Sequence, residues 1–263
     1  MATSNQTSSS RRAEGAIVLR KIGFDDVYAA LRQGFADFVD RPSHYAFVIL
    51  IYPIMGVVIG LWTSGNQALP LLYPLIAGFA LVGPIAALGL YEISRRRERG
   101  LEASWRHAFD VFQSPQIFSI AVLALLLLAI FFIWLSSAQA LYNWTHLAEV
   151  QESLGSFAQS VFTTREGWTL LIVGNLVGVL FAAIVLSISI VSFPLLLDRP
   201  VGVGAAIAAS LRATFLNPMP ILLWGAIVGA LLFAGSLPLF IGLAVVLPVL
   251  GHATWHLYRK LVA

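Results

Sequence analysis

The chain has 263 residues, of which 59% are hydrophobic and only 11% charged, with a mean hydropathy of +0.84. Soluble domains carry about 25% charged residues, so most of this surface cannot face water and an ordinary soluble fold is excluded. Cysteine is absent and the formal net charge is +3. The first fact excludes disulfides, thiolate metal sites and cysteine nucleophiles.

Residues 1–21 open with a Ser/Thr/Asn/Gln-rich run and read as a disordered cytoplasmic tail. No cleavable signal peptide is visible, so the first long apolar run is expected to serve as an uncleaved anchor. Residues 22–263 read as one membrane domain. Between 24 and 39, Phe24, Val27, Tyr28, Leu31, Phe35, Phe38 and Val39 recur at helical spacing, with Asp25, Arg32, Gln33 and Asp37 on the other face. An apolar stripe with a polar back is what a helix lying among lipid headgroups needs.

About 20 apolar residues cross a bilayer, and six segments qualify, at about 44–62, 68–93, 117–141, 168–193, 218–234 and 237–257. The third is preceded by a second amphipathic stretch (Leu101, Trp105, Ala108, Phe109, Phe112) ending at Pro115. The fifth is preceded by another (Val203, Ile207, Leu211, Thr214, Phe215) ending at Pro218. The connection after the third span forms one more amphipathic helix, through Leu147, Val150, Leu154, Phe157 and Val161. The last two spans meet in a tight hairpin at Gly235-Ser236.

The predicted fold is therefore all-α: a polytopic helical bundle of six transmembrane helices in three helix-plus-hairpin units, with interfacial amphipathic helices. Pro84, Pro194 and Pro248 recur near the inner half of the even-numbered spans, as diverged copies of one unit would place them.

Fifteen of the sixteen Lys and Arg residues fall on one side of these spans; Arg165 alone falls on the other. Basic loops stay in the cytoplasm, so both termini are expected there. The basic balance is then a topology signal, and nucleic acid is not an expected partner. Trp62, Trp144 and Trp168 near outer ends, with Trp255 and Tyr258 near an inner end, resemble an interfacial aromatic belt.

Three stretches resemble a family of prokaryotic predicted integral membrane proteins, domain of unknown function 2189. They are Gly83-Pro84 through Gly89-Leu90-Tyr91-Glu92 to the Arg-rich run ending at Gly100, the run from Phe193-Pro194 to Asp198-Arg199, and Gly251-His252 through Trp255-His256 to Tyr258. The resemblance spans roughly residue 22 to the C-terminus. It implies a bacterial inner-membrane location and no established activity or binding residues. Some relatives bear a label of cytochrome c oxidase subunit I, which would need haem and copper ligands on several helices. Of five histidines only His252 and His256 share a span, so that label fails here.

The remaining candidate sites are weak. His252 and His256, four apart on one helical face, could hold a metal with His107 or Glu92 as a third ligand. A role as interfacial residues anchoring the helix end is the more economical reading. Arg95, Arg96, Arg97 and Arg99 beside a span suit anionic lipid headgroups. Glu92 should pair with Arg95 or Arg96, and Asp198 with Arg199. Gly56-x3-Gly60, Gly174-x3-Gly178 and Gly225-x3-Gly229 permit close helix packing, within one chain or between two.

Nucleophile-elbow, phosphate-loop and zinc-helix motifs are missing. The expectation is a non-enzymatic membrane protein without a cofactor, whose partners are membrane lipids, another membrane protein or a second copy of itself. The alternative is a channel or uncoupled transporter for a small neutral solute, suggested by kinking prolines and by Asn175.

Overall fold

A computed structural model of the chain describes residues 17–40, 74, 81, 83–145, 154–238 and 241–263. The described residues are helical, apart from turns and one isolated antiparallel bridge between Leu19 and Val262. In chain order the elements are α1 (Phe24–Asp40), α2 (Leu88–Glu98), a 3-10 helix (Trp105–Gln113), α3 (Ile117–Trp144), α4 (Leu154–Thr163), α5 (Arg165–Asp198), α6 (Val203–Leu216), α7 (Pro218–Ser236) and α8 (Leu243–Leu261).

Local chemistry sets several boundaries. Asp25 and Asp26 lie in the first turn of α1, where acidic groups complement the helix dipole, and Asp26 accepts from Gly23 N at 3.0 Å. After α2, Gly100 adopts φ +66, and Leu101 N donates to Arg96 O while Gly100 N donates to Arg97 O. That pair of bonds is a Schellman ending, which favours glycine because a Cβ is disfavoured at positive φ. At the start of α5, Thr164 Oγ1 accepts from Gly167 N.

Helices α3, α5 and α7 are each long and apolar enough to cross a membrane. They begin at or within three residues of the expected third, fourth and fifth spans and run beyond their ends. The expected first span and much of the second lie outside the described residues. The sixth is found as α8, shifted toward the C-terminus. Its second half carries His252, His256, Arg259 and Lys260, and it is not among the three membrane-length apolar helices. Gly235 and Gly242 lie against each other at the hairpin before it, seven residues apart, so this turn is wider than Gly235-Ser236 alone. Only the 154–163 part of the outer amphipathic connection is described, as α4; Leu147 and Val150 lie outside.

The 34 residues of α5 would span about 51 Å at 1.5 Å per residue, well beyond a hydrocarbon core of about 30 Å. Its packing changes along that length. Ile172, Leu176, Val179 and Leu180 are exposed, whereas residues 189–197 are buried without a break. Within the buried stretch, Ser210 of α6 donates to Ser187 O and accepts from Val191 N. Its hydroxyl thus bridges the carbonyl and amide of one helical turn, a known way of bending a helix. Pro194, in the same stretch, has no N–H to give the ladder.

The Gly174-x3-Gly178 face looks onto Leu141 and Trp134 of α3, so that motif serves packing within the chain; Gly225 meets Leu186 of α5, while Gly229 faces open space. Gly56-x3-Gly60 lies outside the described residues.

Candidate functional site: a polar cleft between the first and last helices

Helix α1 has a third face besides its aromatic stripe and its charged back. Val27, Ala30, Gly34 and Asp37, three or four residues apart, are its buried residues, and they meet α8. A Cβ at Gly34 would sit 2.6 Å from Ala253 Cα, so only glycine permits this approach. The larger side chains Phe24, Tyr28, Phe35 and Val39 point outward and are exposed. Asp37, expected on the polar outer face, is instead 7% exposed, because the close crossing turns it onto α8.

There Asp37 becomes the centre of a network. Its Oδ2 accepts from Ser94 Oγ of α2 at 2.7 Å and from His256 Nε2 at 2.9 Å, and Arg97 Nη1 lies 2.9 Å from Oδ1. His252 Nδ1 is 2.7 Å from Ser94 Oγ. The Ser94 hydroxyl thus links His252 to Asp37. Arg97 also pairs with Asp40. Burial favours the neutral carboxyl of Asp37, but the hydrogen bonds from His256 and Ser94 outweigh it and hold the pKa below the usual carboxylate range.

A second network lies beside the first. Asp198, at the end of α5, accepts from Tyr258 Oη and from Arg99, each at 2.9 Å. Glu98 accepts from Trp255 Nε1 at 3.0 Å and from Arg259 Nε at 2.8 Å. Arg259 Nη1 lies 3.6 Å from Asp198, so it joins the two carboxylates. Asp198 and its neighbour Arg199 are 3.9 Å apart, a looser contact than those made across the fold. The expected local pair of Glu92 with Arg95 is present at 2.7 Å.

Between these networks opens a cleft of about 420 Å³. Its wall carries the cations Arg97, Arg259 and Lys260 and the anions Asp37 and Glu98, with Gln33, Ser94 and His256 completing it. Lys260 is held by Asp26 at 3.2 Å. Arg97 Nη1 is buried and, despite its closeness to Asp37, has no aligned hydrogen-bond acceptor.

The expected site residues therefore separate. His252 is fully buried and Trp255 and Tyr258 nearly so, under α1 and α2. Protein covers these three, so the reading of His252 as an interfacial anchor is corrected; His256 stays partly exposed on the cleft. His107 binds back to Ser104 N and Oγ at the start of the 3-10 helix, and Glu92 is taken by Arg95. Neither joins the two histidines. Among the described residues, no group of three or more His, Cys, Asp or Glu is arranged to hold a metal ion. Of the four arginines, Arg97 alone lines the cleft; Arg96 pairs with Asp110, Arg95 with Glu92 and Arg99 with Asp198.

Sequence reasoning missed Asp37, Ser94 and Glu98 as site residues. The available signal was a glycine and an alanine at one helical spacing from Asp37, on a helix otherwise rich in large side chains.

Residues 72–198 match the family described as predicted integral membrane protein (DUF2189). That match takes in the first of the three stretches that carry the resemblance and all of the second but Arg199, and it leaves out the third. It includes Ser94, Arg97, Glu98 and Asp198, but not α1 or α8, which supply Asp37 and both histidines. No curated protein and no solved structure matches the chain. With three membrane-length apolar helices among the described residues, the chain is an integral membrane protein.

Proposed function

We propose that this chain is a non-enzymatic, six-span protein of the bacterial inner membrane, with both termini in the cytoplasm, that acts by engaging lipid or a membrane partner at its cytoplasmic end. The observation that carries this reading is a pattern shared by three segments. α1, the 3-10 helix and α6 each stand near the polar layer and turn large apolar side chains outward.

In α1 these are Phe24, Tyr28, Phe35 and Val39; in the 3-10 helix Trp105, Phe109 and Phe112; in α6 Phe215 and Leu216. The faces that α1 and α6 bury are built of small or polar residues, chiefly Ala30, Gly34, Ala206, Ala209 and Ala213. A water-facing surface with this much aromatic area would be unstable in solution, while a headgroup layer accepts it. The arrangement also supports three related helix-plus-hairpin units, although the middle one uses a 3-10 turn where the others use an α-helix. The near-exclusive placement of basic residues on one side supports the orientation.

The absence of cysteine makes this reading directly testable, since any introduced cysteine is unique. Nitroxide labels at Phe35→Cys, Phe109→Cys and Phe215→Cys, in protein reconstituted into bilayers, should be relaxed by oxygen more than by a water-soluble nickel chelate. The reverse order at all three sites would sink the interfacial reading. For orientation, Thr163→Cys should react with an impermeant maleimide on intact spheroplasts, and Arg99→Cys only after lysis.

A further inference from the structure

We infer that the cleft between α1, α2 and α8 binds a phosphoethanolamine group: a phosphodiester joined by a short linker to a primary ammonium. The inference rests on the proposed seating of this end at the membrane interface, and it adds a ligand to it.

The cleft presents Arg97, Arg259 and Lys260 against Asp37 and Glu98, and each cation is already matched by a carboxylate of the protein. With charges balanced, no net field selects a simple anion or a simple cation. A ligand bearing both signs can use both sets of groups without leaving the site charged.

A guanidinium has five N–H groups and an ammonium three, so the ion pairs formed within the protein do not exhaust them. Arg97 Nη1 is buried against Asp37, but the Arg97 side chain is still 34% exposed, so its outer N–H groups can meet a phosphodiester oxygen. Arg259, reaching Glu98 through Nε and Asp198 through Nη1, and Lys260, held by Asp26, stand on the same wall. Glu98 is half-exposed and offers its carboxylate to a hydrogen-bonding ammonium.

The kind of ammonium also follows from the lining. The described residues around the cleft are all polar. Quaternary ammonium groups are recognised by aromatic faces, whereas a primary ammonium donates hydrogen bonds to carboxylates. The site should therefore prefer ethanolamine to choline. A volume of about 420 Å³ lies within the usual range for small-ligand sites, roughly 300–1,000 Å³.

The test is native mass spectrometry of the full chain released in mild detergent and incubated with equal amounts of dioleoyl phosphatidylethanolamine, phosphatidylcholine and phosphatidylglycerol. The ethanolamine lipid should be retained about tenfold more strongly than either of the others, the scale of one charge-assisted hydrogen bond. Glu98→Gln should remove that preference without lowering the unfolding midpoint to the same degree as Asp37→Asn. Free glycerophosphoethanolamine separates the two sources of the group. Failure to displace the bound lipid identifies a membrane lipid as ligand, and binding as strong as the lipid's identifies a soluble one. Equal retention of the three lipids by the wild-type chain, a comparison that needs no variant, would overturn the inference. The nitroxide depths would be unaffected by that outcome, so the two readings fail separately.

Discussion

Along α5 the chain passes between two kinds of surroundings: Ile172, Leu176, Val179 and Leu180 are exposed at one end, while 189–197 are enclosed by protein at the other. The same contrast holds between α3 and α7, which present Leu125, Phe132, Leu222 and Phe233 outward, and the layer made by α1, α2 and α8, where Glu92, Asp37 and His252 are buried. In lipid an exposed leucine loses nothing by staying exposed, so the spans need few internal contacts. The buried polar and charged groups have no such freedom, because each must find its partner inside the fold. Specific structure is therefore concentrated at the polar end.

Replacing Asp37 by Asn should break this contrast most severely. It removes one partner of a buried ion pair and leaves Arg97 Nη1 without its nearest counter-charge, at a cost of about 3 kcal/mol, read as unfolding in mixed micelles. Next comes Gly34→Ala, whose added methyl has to push α1 away from α8, with an expected loss of about 2 kcal/mol. Its midpoint should fall while the apparent helix content of the spans is retained.

Acidification sharpens the comparison through Asp37 itself. Because its folded pKa is depressed, the unfolded chain takes up the proton first. Its stabilising contribution is complete above the ordinary carboxylate value of about 3.9 and fades as pH falls through the lower folded value. The Asp37 carboxylate's share of the stability gap between wild type and Asp37→Asn should shrink below about pH 4. The smallest effect is expected at the lipid-facing end, where Leu176→Ala should change stability by no more than about 0.5 kcal/mol. A loss comparable to that of Gly34→Ala would mean that a protein surface covers this face.

The division also explains what could be read from the sequence. Long apolar windows announce α3, α5 and α7 because membrane thickness imposes a length that no partner is needed to specify. The amphipathic character of α1 and α6 was visible for the same reason, since aromatic spacing is a local property. The buried face of α1 was not. Ala30 and Gly34 carry little hydrophobic signal, and Asp37 resembles any solvated acid until α8, more than 200 residues away, is laid against it. Local pairs were legible where helical spacing sufficed, as with Glu92 and Arg95. Asp198 shows the limit: adjacency suggested Arg199, but Arg99 and Tyr258, from distant segments, lie closer.

The crossing of Gly34 against Ala253 joins the earliest described helix to the last. About 200 residues separate the end of α1 from the start of α8. At a synthesis rate of about 5–20 residues per second, α1 would leave the ribosome roughly 10–40 s before its partner exists. During that interval Asp37 lacks His256, and the narrow strip of Ala30 and Gly34 has nothing to fit. Insertion of the intervening spans can proceed as each appears, but closure of the polar end waits for α8 to emerge. Biogenesis of this protein should thus contain one late step that depends on α8 and whose timing is set by the length of everything between.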